Sequence, residues 1–265
     1  RANADDTWGG WPVKTNSHGF RGPEIPIEKP VDTTRILFLG DSVTFGYRLA
    51  DEHTFPHHVE QQLAANTGRR IEAINTGVGG YSPWQELVVL QEQGLAFKPD
   101  LVIVGFVLND VTEKFSLIRF GGYDEGFQLS RSMATLQDRL ARCSNIYYTL
   151  RKVVAKIRFG DNVAQGAAKK EKLRVTSLVE QPNDAQVTQA WEITLGNVEK
   201  IVALCREHDV PVMLVVFPMT FQFDQPANKH IPQRIMRDFA IKHSVPMIDL
   251  LPPMTHWLQT NHEPP

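Results

Sequence analysis

Five short apolar runs, at 36–39, 71–74, 101–106, 212–217 and 246–250, recur along the chain with helical patterns between them. The runs carry apolar residues toward both faces, which a strand does when it is covered from both sides. Strand, helix, strand in repetition then requires a parallel sheet, because parallel neighbours need a crossover between them. The intervening segments fit. Residues 55–65 have apolar positions at helical spacing and stop near Gly68, and 83–97 opens with proline in its first turn. Further helices are expected at 185–208 and about 229–243. The expected fold class is α/β: three layers, α/β/α, flavodoxin-like in arrangement, a parallel sheet with helices on both faces.

Residues 1–34 are rich in Gly, Pro, Trp and polar residues without a sustained period. They are expected to form an arm that wraps on the domain, with a short hairpin around Asn16-Ser17-His18-Gly19-Phe20-Arg21-Gly22. Residues 35–265 form the domain proper, with an insertion over about 111–182. Within it, 111–132 is irregular, Ala134–Ile157 is helical in pattern, and 158–182 reads as a mobile insertion or solvated helix.

Bulk properties narrow the function. A formal net charge of −2 offers nucleic acid no basic surface. The longest apolar run, Leu101–Leu108, is well short of the roughly 20 residues that cross a membrane. Cys143 and Cys205 stand in different segments and support neither a disulfide framework nor a zinc cluster. The histidines show no metal spacing; His57-His58 sit on a surface-helix pattern. Gly77-Val78-Gly79 is not a dinucleotide fingerprint, since Ser82 occupies the third glycine position. No cofactor and no metal are expected.

Ligands of open parallel sheets bind beyond the carboxyl ends of the strands. Chemistry-bearing residues do follow three successive strands: Gly40-Asp41-Ser42, then Asn75-Thr76-Gly77-Val78-Gly79-Gly80, then Asn109-Asp110. Alone, each is what a turn or helix cap would look like. Together they supply the parts ester cleavage needs, a serine hydroxyl and donors aimed at an oxyanion.

Gly-Asp-Ser, Asn-x-Gly-x-x-Gly and Asn-Asp in this order resemble the SGNH hydrolases, the GDSL esterases and lipases. The resemblance implies a flavodoxin-like fold and hydrolysis of carboxylic esters, or transfer of an acyl group. It places the catalytic serine on Ser42 and the oxyanion hole on Ser42, Gly80 and Asn109. Val107 stands where the family often has glycine. The Asp-x-x-His pair of the family is absent from 245–265, and His256 and His262 lack an aspartate three residues upstream. The base is therefore expected beyond Pro265. The Asn-Ser-His-Gly-Phe-Arg-Gly-Pro-Glu lead is similar to that of exported or membrane-anchored bacterial members. Export, a periplasmic setting or an upstream anchor near a membrane is expected over the cytoplasm. The expected partner is a small-molecule or carbohydrate ester. The alternatives are an O-acetyltransferase or deacetylase acting on a polysaccharide, and a non-catalytic binding domain of the same fold.

Overall fold

The computed structural model describes residues 2–8, 10–112, 173–223 and 230–261. The expectations for 113–172 (the irregular stretch, the helix Ala134–Ile157, the basic segment, Cys143) and for His262 lie outside the described residues. The chain divides into two compact units, 1–114 with 174–265, and 115–173. The second falls outside the described residues apart from Leu173.

The first unit opens with a hairpin, β1 (Asp5–Trp8) and β2 (Trp11–Lys14), antiparallel with Trp8 opposite Trp11. It lies earlier than the hairpin expected around 16–22. That later stretch is a tight turn instead, closed by one bridge between Thr15 and Arg21. The Asn16 side chain holds it, its Oδ1 accepting from the N–H groups of His18 and Phe20 at 3.0 Å each.

The sheet follows: β3 (Thr33–Gly40), β4 (Arg70–Asn75), β5 (Leu101–Phe106), β6 (Val212–Val216) and β7 (Met247–Asp249). All five are parallel, in the order β4-β3-β5-β6-β7. Alternate residues of a strand face opposite layers. Ile36, Phe38, Ile71 and Ile103 pack under α2 (Phe55–Thr67) through Phe55, Val59 and Leu63. On the other face Phe106 stacks on Trp191 of α5 (Ala185–Glu207), at 6.0 Å between ring centroids. α3 (Pro83–Glu92) packs beside α5. The right-handed crossover rule places α6 (Ile231–Lys242) in that layer too. The fold is the expected three-layer α/β/α sandwich.

Three local differences have physical causes. The helix expected over 83–97 ends at Glu92, and Gly94–Phe97 is a separate 3₁₀ turn. Gly94 is tucked so close that a Cβ there would sit 3.0 Å from Leu37 Cδ1. The end of the presumed solvated insertion is packed: α4 (Ser177–Glu180) buries Leu178 and Val179. Residues 251–261, for which no element was expected, form α7 (Leu251–Asn261). Asp249 Oδ1 accepts from the Leu251 N–H at 3.0 Å, and Pro252-Pro253 fall in the first turn, where no intrahelical N–H is needed.

Register sets the site. Gly40 of β3 pairs with Gly105 of β5, and Phe38 with Asn75 of β4. The segments 41–42, 76–80 and 107–110 therefore leave the sheet at one carboxyl edge. β3 lies between β4 and β5, where the chain reverses its direction of travel across the sheet, the place where such folds hold ligands.

Candidate active site

Ser42 opens α1 (Ser42–Phe45), a single helical turn immediately after β3. Asp41 caps it, with Oδ1 accepting from the Val43 N–H at 2.8 Å. At the other end Gly46, at φ +77°, donates its N–H to the Ser42 and Val43 carbonyls. The turn is pressed onto the neighbouring loop. A Cβ on Gly77 would lie 2.4 Å from the Phe45 nitrogen, so only glycine permits this approach.

Asp41 is fully buried, and its second oxygen holds the centre of the site. Oδ2 accepts from the Asn109 side-chain amide at 2.8 Å and from the Ser42 hydroxyl at 3.3 Å. The long, weak bond to Ser42 leaves the hydroxyl lightly held, while the shorter bond orients the amide firmly. The segment bearing Asn109 is itself braced, because Asp110 Oδ2 accepts from the Val107 N–H at 2.9 Å. Val107, where the resemblance led to glycine, is buried in the core.

The glycine loop runs beside these two. Its course is fixed by N–H bonds from Thr76 to the Phe38 carbonyl (3.0 Å) and from Val78 to the Gly40 carbonyl (3.1 Å). Gly79 faces the serine, its Cβ position 3.8 Å from Ser42 Cβ. Gly80 follows at φ +80°, partly exposed. Asn75 ties the loop to α1, donating from Nδ2 to the Thr44 carbonyl at 2.9 Å and accepting from the Gly77 N–H at 3.0 Å.

Behind the turn stands Arg21, brought from the arm. Its guanidinium donates to the carbonyls of Phe45 (2.9 Å), Gly46 (2.8 Å) and Leu49 (2.5 Å), lies 4.8 Å over the Phe45 ring, and meets Asp51 at 3.4 Å. Burial lowers the pKa of this guanidinium and Asp51 opposes that shift; an arginine here stays charged.

The structure thus joins Ser42 and Asn109 through one carboxylate and sets Gly79-Gly80 alongside. Sequence reasoning passed over Asp41, Asn75 and Arg21 as members of the site. Asp41 and Asn75 stood within the quoted motifs and Arg21 within the lead, but their partners are distant in sequence. His256 lies exposed on α7, lining a cavity of about 450 Å³ with His230, Arg234, Arg237 and Asp249. Among the described residues no histidine hydrogen-bonds Ser42, and no cluster of His, Cys, Asp or Glu could hold a metal ion.

A comparison with curated protein sequences finds no match. Among solved structures, the chain is similar to an acetyl xylan esterase, AlAXEase, at 14% identity over 86% of this chain and 83% of that one, with a TM-score of 0.48. It is also similar to AlinE4, an SGNH-hydrolase family esterase, at 16% identity over 89% and 83%, TM-score 0.45. A GDSL-like lipase from Bacteroides thetaiotaomicron matches at 16% identity over 83% and 70%, TM-score 0.39. The sequence profile of the GDSL-like lipase/acylhydrolase family matches residues 38–265, most of the chain and every strand of the large sheet after its first residues. The chain belongs to the GDSL-like lipase/acylhydrolase family and is a hydrolase of the esterase/lipase type.

Proposed function

We propose that Ser42 is the nucleophile of a carboxylic-ester hydrolase working through an acyl-enzyme. The Ser42 oxygen bonds to the ester carbonyl carbon while its proton passes to a histidine base outside the described residues. The carbonyl oxygen becomes an oxyanion held by the N–H groups of Ser42 and Gly80 and by the Asn109 amide. Collapse breaks the bond to the alcohol, which leaves with the proton. Water then attacks the acyl-serine, and the acid departs. The substrate class is a small-molecule or carbohydrate ester.

The observation that carries this reading is the shared oxygen Asp41 Oδ2, which sets the Asn109 amide and the Ser42 hydroxyl beside each other. The full natural protein and its Ser42→Ala variant, assayed on short p-nitrophenyl esters, test it. The variant is expected to lose at least about 10³-fold in kcat. Equal rates in the two proteins would overturn the assignment.

A further inference from the structure

We propose that Arg21 is a positioning residue for catalysis, and that the Asn16–Glu24 turn of the arm belongs to the working site. The inference rests on the reading of Ser42 as nucleophile. Its starting point is the weakness of α1. A single turn of four residues cannot hold itself in shape, because nucleating a helix costs more than one turn returns. Ser42 therefore sits where the surroundings put it.

Those surroundings act at both ends. At the front, Asp41 caps the turn and reaches Asn109. At the back, successive carbonyls accept from side chains of other elements: Thr44 from Asn75, then Phe45 and Gly46 from Arg21, with Leu49 beyond them also on Arg21. A guanidinium suits this place for two reasons. Its rigid fork of donors reaches several acceptors at once, and its charge opposes the partial negative charge that carbonyls present at a helix's carboxyl end.

Arg21 is also coupled to the oxyanion loop. Its backbone N–H donates to the Asn75 carbonyl at 3.2 Å, and the Asn75 side chain bonds both Thr44 and Gly77. One arginine thus links the turn that carries the nucleophile to the loop that carries Gly79 and Gly80. The arm turn is stiffened to match. Asn16 Nδ2 donates to the Pro23 carbonyl at 3.1 Å, and Glu24 accepts from the Ser17 N–H at 2.8 Å. The Arg21 side chain is only 1% exposed, so it contacts no substrate and acts through the backbone of α1.

The test uses the full natural enzyme with Arg21→Met and Arg21→Lys, beside Ser42→Ala. Steady-state kinetics, the rate of Ser42 labelling by a fluorophosphonate, and the thermal midpoint are measured for each. Displacing a reacting group slightly costs catalysis and spares binding, so Arg21→Met is expected to lower kcat and the labelling rate together, by about 10- to 100-fold, with KM within about twofold. Arg21→Lys keeps the charge without the fork and should recover part of both rates. A folded Arg21→Met whose kcat and labelling rate stay within about twofold of wild type, with only the midpoint lowered, would overturn the inference and leave Ser42 as nucleophile. Should Arg21→Met fail to fold, Arg21→Lys decides alone: unchanged kcat and labelling overturn the inference, and a joint fall at constant KM supports it. Wild-type activity in Ser42→Ala would remove both readings.

Discussion

The side-chain amide of Asn109 and the carboxylate of Asp41, 68 positions apart in sequence, are joined by a 2.8 Å hydrogen bond. The same carboxylate accepts from the Val43 N–H and the Ser42 hydroxyl, so Asp41 is an acceptor on both of its oxygens. A carboxylate offers an acceptor at each oxygen; an amide has one oxygen and one donating nitrogen. Whichever way the side chain of Asp41→Asn turns, its NH₂ faces either the Val43 N–H or the Asn109 amide. On the proposed mechanism we predict a fall of about 10²-fold in kcat with little change in KM, the typical cost of losing one oriented oxyanion donor. Steady-state kinetics beside a thermal melt will separate this from unfolding.

Two neighbouring glycines should behave differently. A methyl on Gly77 would press into the backbone nitrogen of Phe45 at 2.4 Å, so Gly77→Ala must displace α1 or the loop. Overpacking of this kind costs about 1–3 kcal/mol, and each kcal/mol is worth roughly 2–4 °C of melting temperature for a chain of about this size. Activity is expected to fall with it. A methyl on Gly79 would stand 3.8 Å from Ser42 Cβ, an ordinary contact. Gly79→Ala should therefore melt like wild type while its KM rises, because the added group narrows the approach to the serine. Paired melting and kinetic measurements check both.

The sheet was legible because its strands are covered on both faces and say so in composition. Leu101–Phe106 was readable to the residue, framed by Pro99-Asp100 before it and Asn109-Asp110 after it. Gly68 marked the end of α2 for the reason it does so in the structure, a left-handed residue at φ +66°. Where reading stopped, a contact with distant residues decided the outcome. The helix at 83 ends early because Gly94 must pass under Leu37, which no local pattern reports. The hairpin of the arm pairs Trp8 with Trp11 across a Gly-Gly in the sequence, a strong local signal that the more conspicuous Asn-Ser-His-Gly sequence obscured. In the site, order and placement pointed to Ser42 and Asn109, which the structure joins through Asp41 Oδ2. Asp41 was read as a helix cap, which it is, but its second oxygen serves a residue on another strand's loop. Arg21 was equally hidden, since the acceptors of its side chain lie 24 to 30 positions away.

Asp100 gives the fold a dependence on pH. Partial burial pushes its carboxyl pKa upward. The Lys29 ammonium at 2.7 Å, the Arg35 backbone N–H at 2.7 Å and the Arg35 charge outweigh this and hold it below the ordinary 3.8. A carboxyl with a depressed folded pKa stabilises the native state above its unfolded pKa and loses that contribution as pH falls through the folded value. Asp100→Asn should accordingly be less stable than wild type near pH 7, by about 0.5 kcal/mol once solvent screening of this part-exposed pair is allowed for. The difference should close below about pH 3.8. Urea titrations of both proteins at a series of pH values will show whether the curves converge.

Cys205 lies in the core on α5, and burial pushes its thiol up to about 12. Thiolate is the reactive form, so almost none is present at pH 8. Iodoacetamide at that pH should leave Cys205 untouched in the folded protein and alkylate it in urea. Mass spectrometry of the peptide that carries it will distinguish the two states.

The arm is fastened at both edges of the sheet. Arg35 of β3 donates to the carbonyls of Pro26, Ile27 and Phe97 near one edge, and Arg21 clasps α1 at the other. On the ribosome this order has a consequence. Arg21 emerges before every group it will bind: Phe45, Gly46 and Leu49 come later, and Asn75 later still. Its last acceptor, the Asn75 carbonyl, is available only once β4 has emerged. The loop that its docking closes has to be brought together at an entropic cost. The turn that carries Ser42 therefore gains its last contacts only after β4 has emerged, and a nascent chain stalled before β4 lacks the Asn75 bonds that tie Thr44 to Gly77.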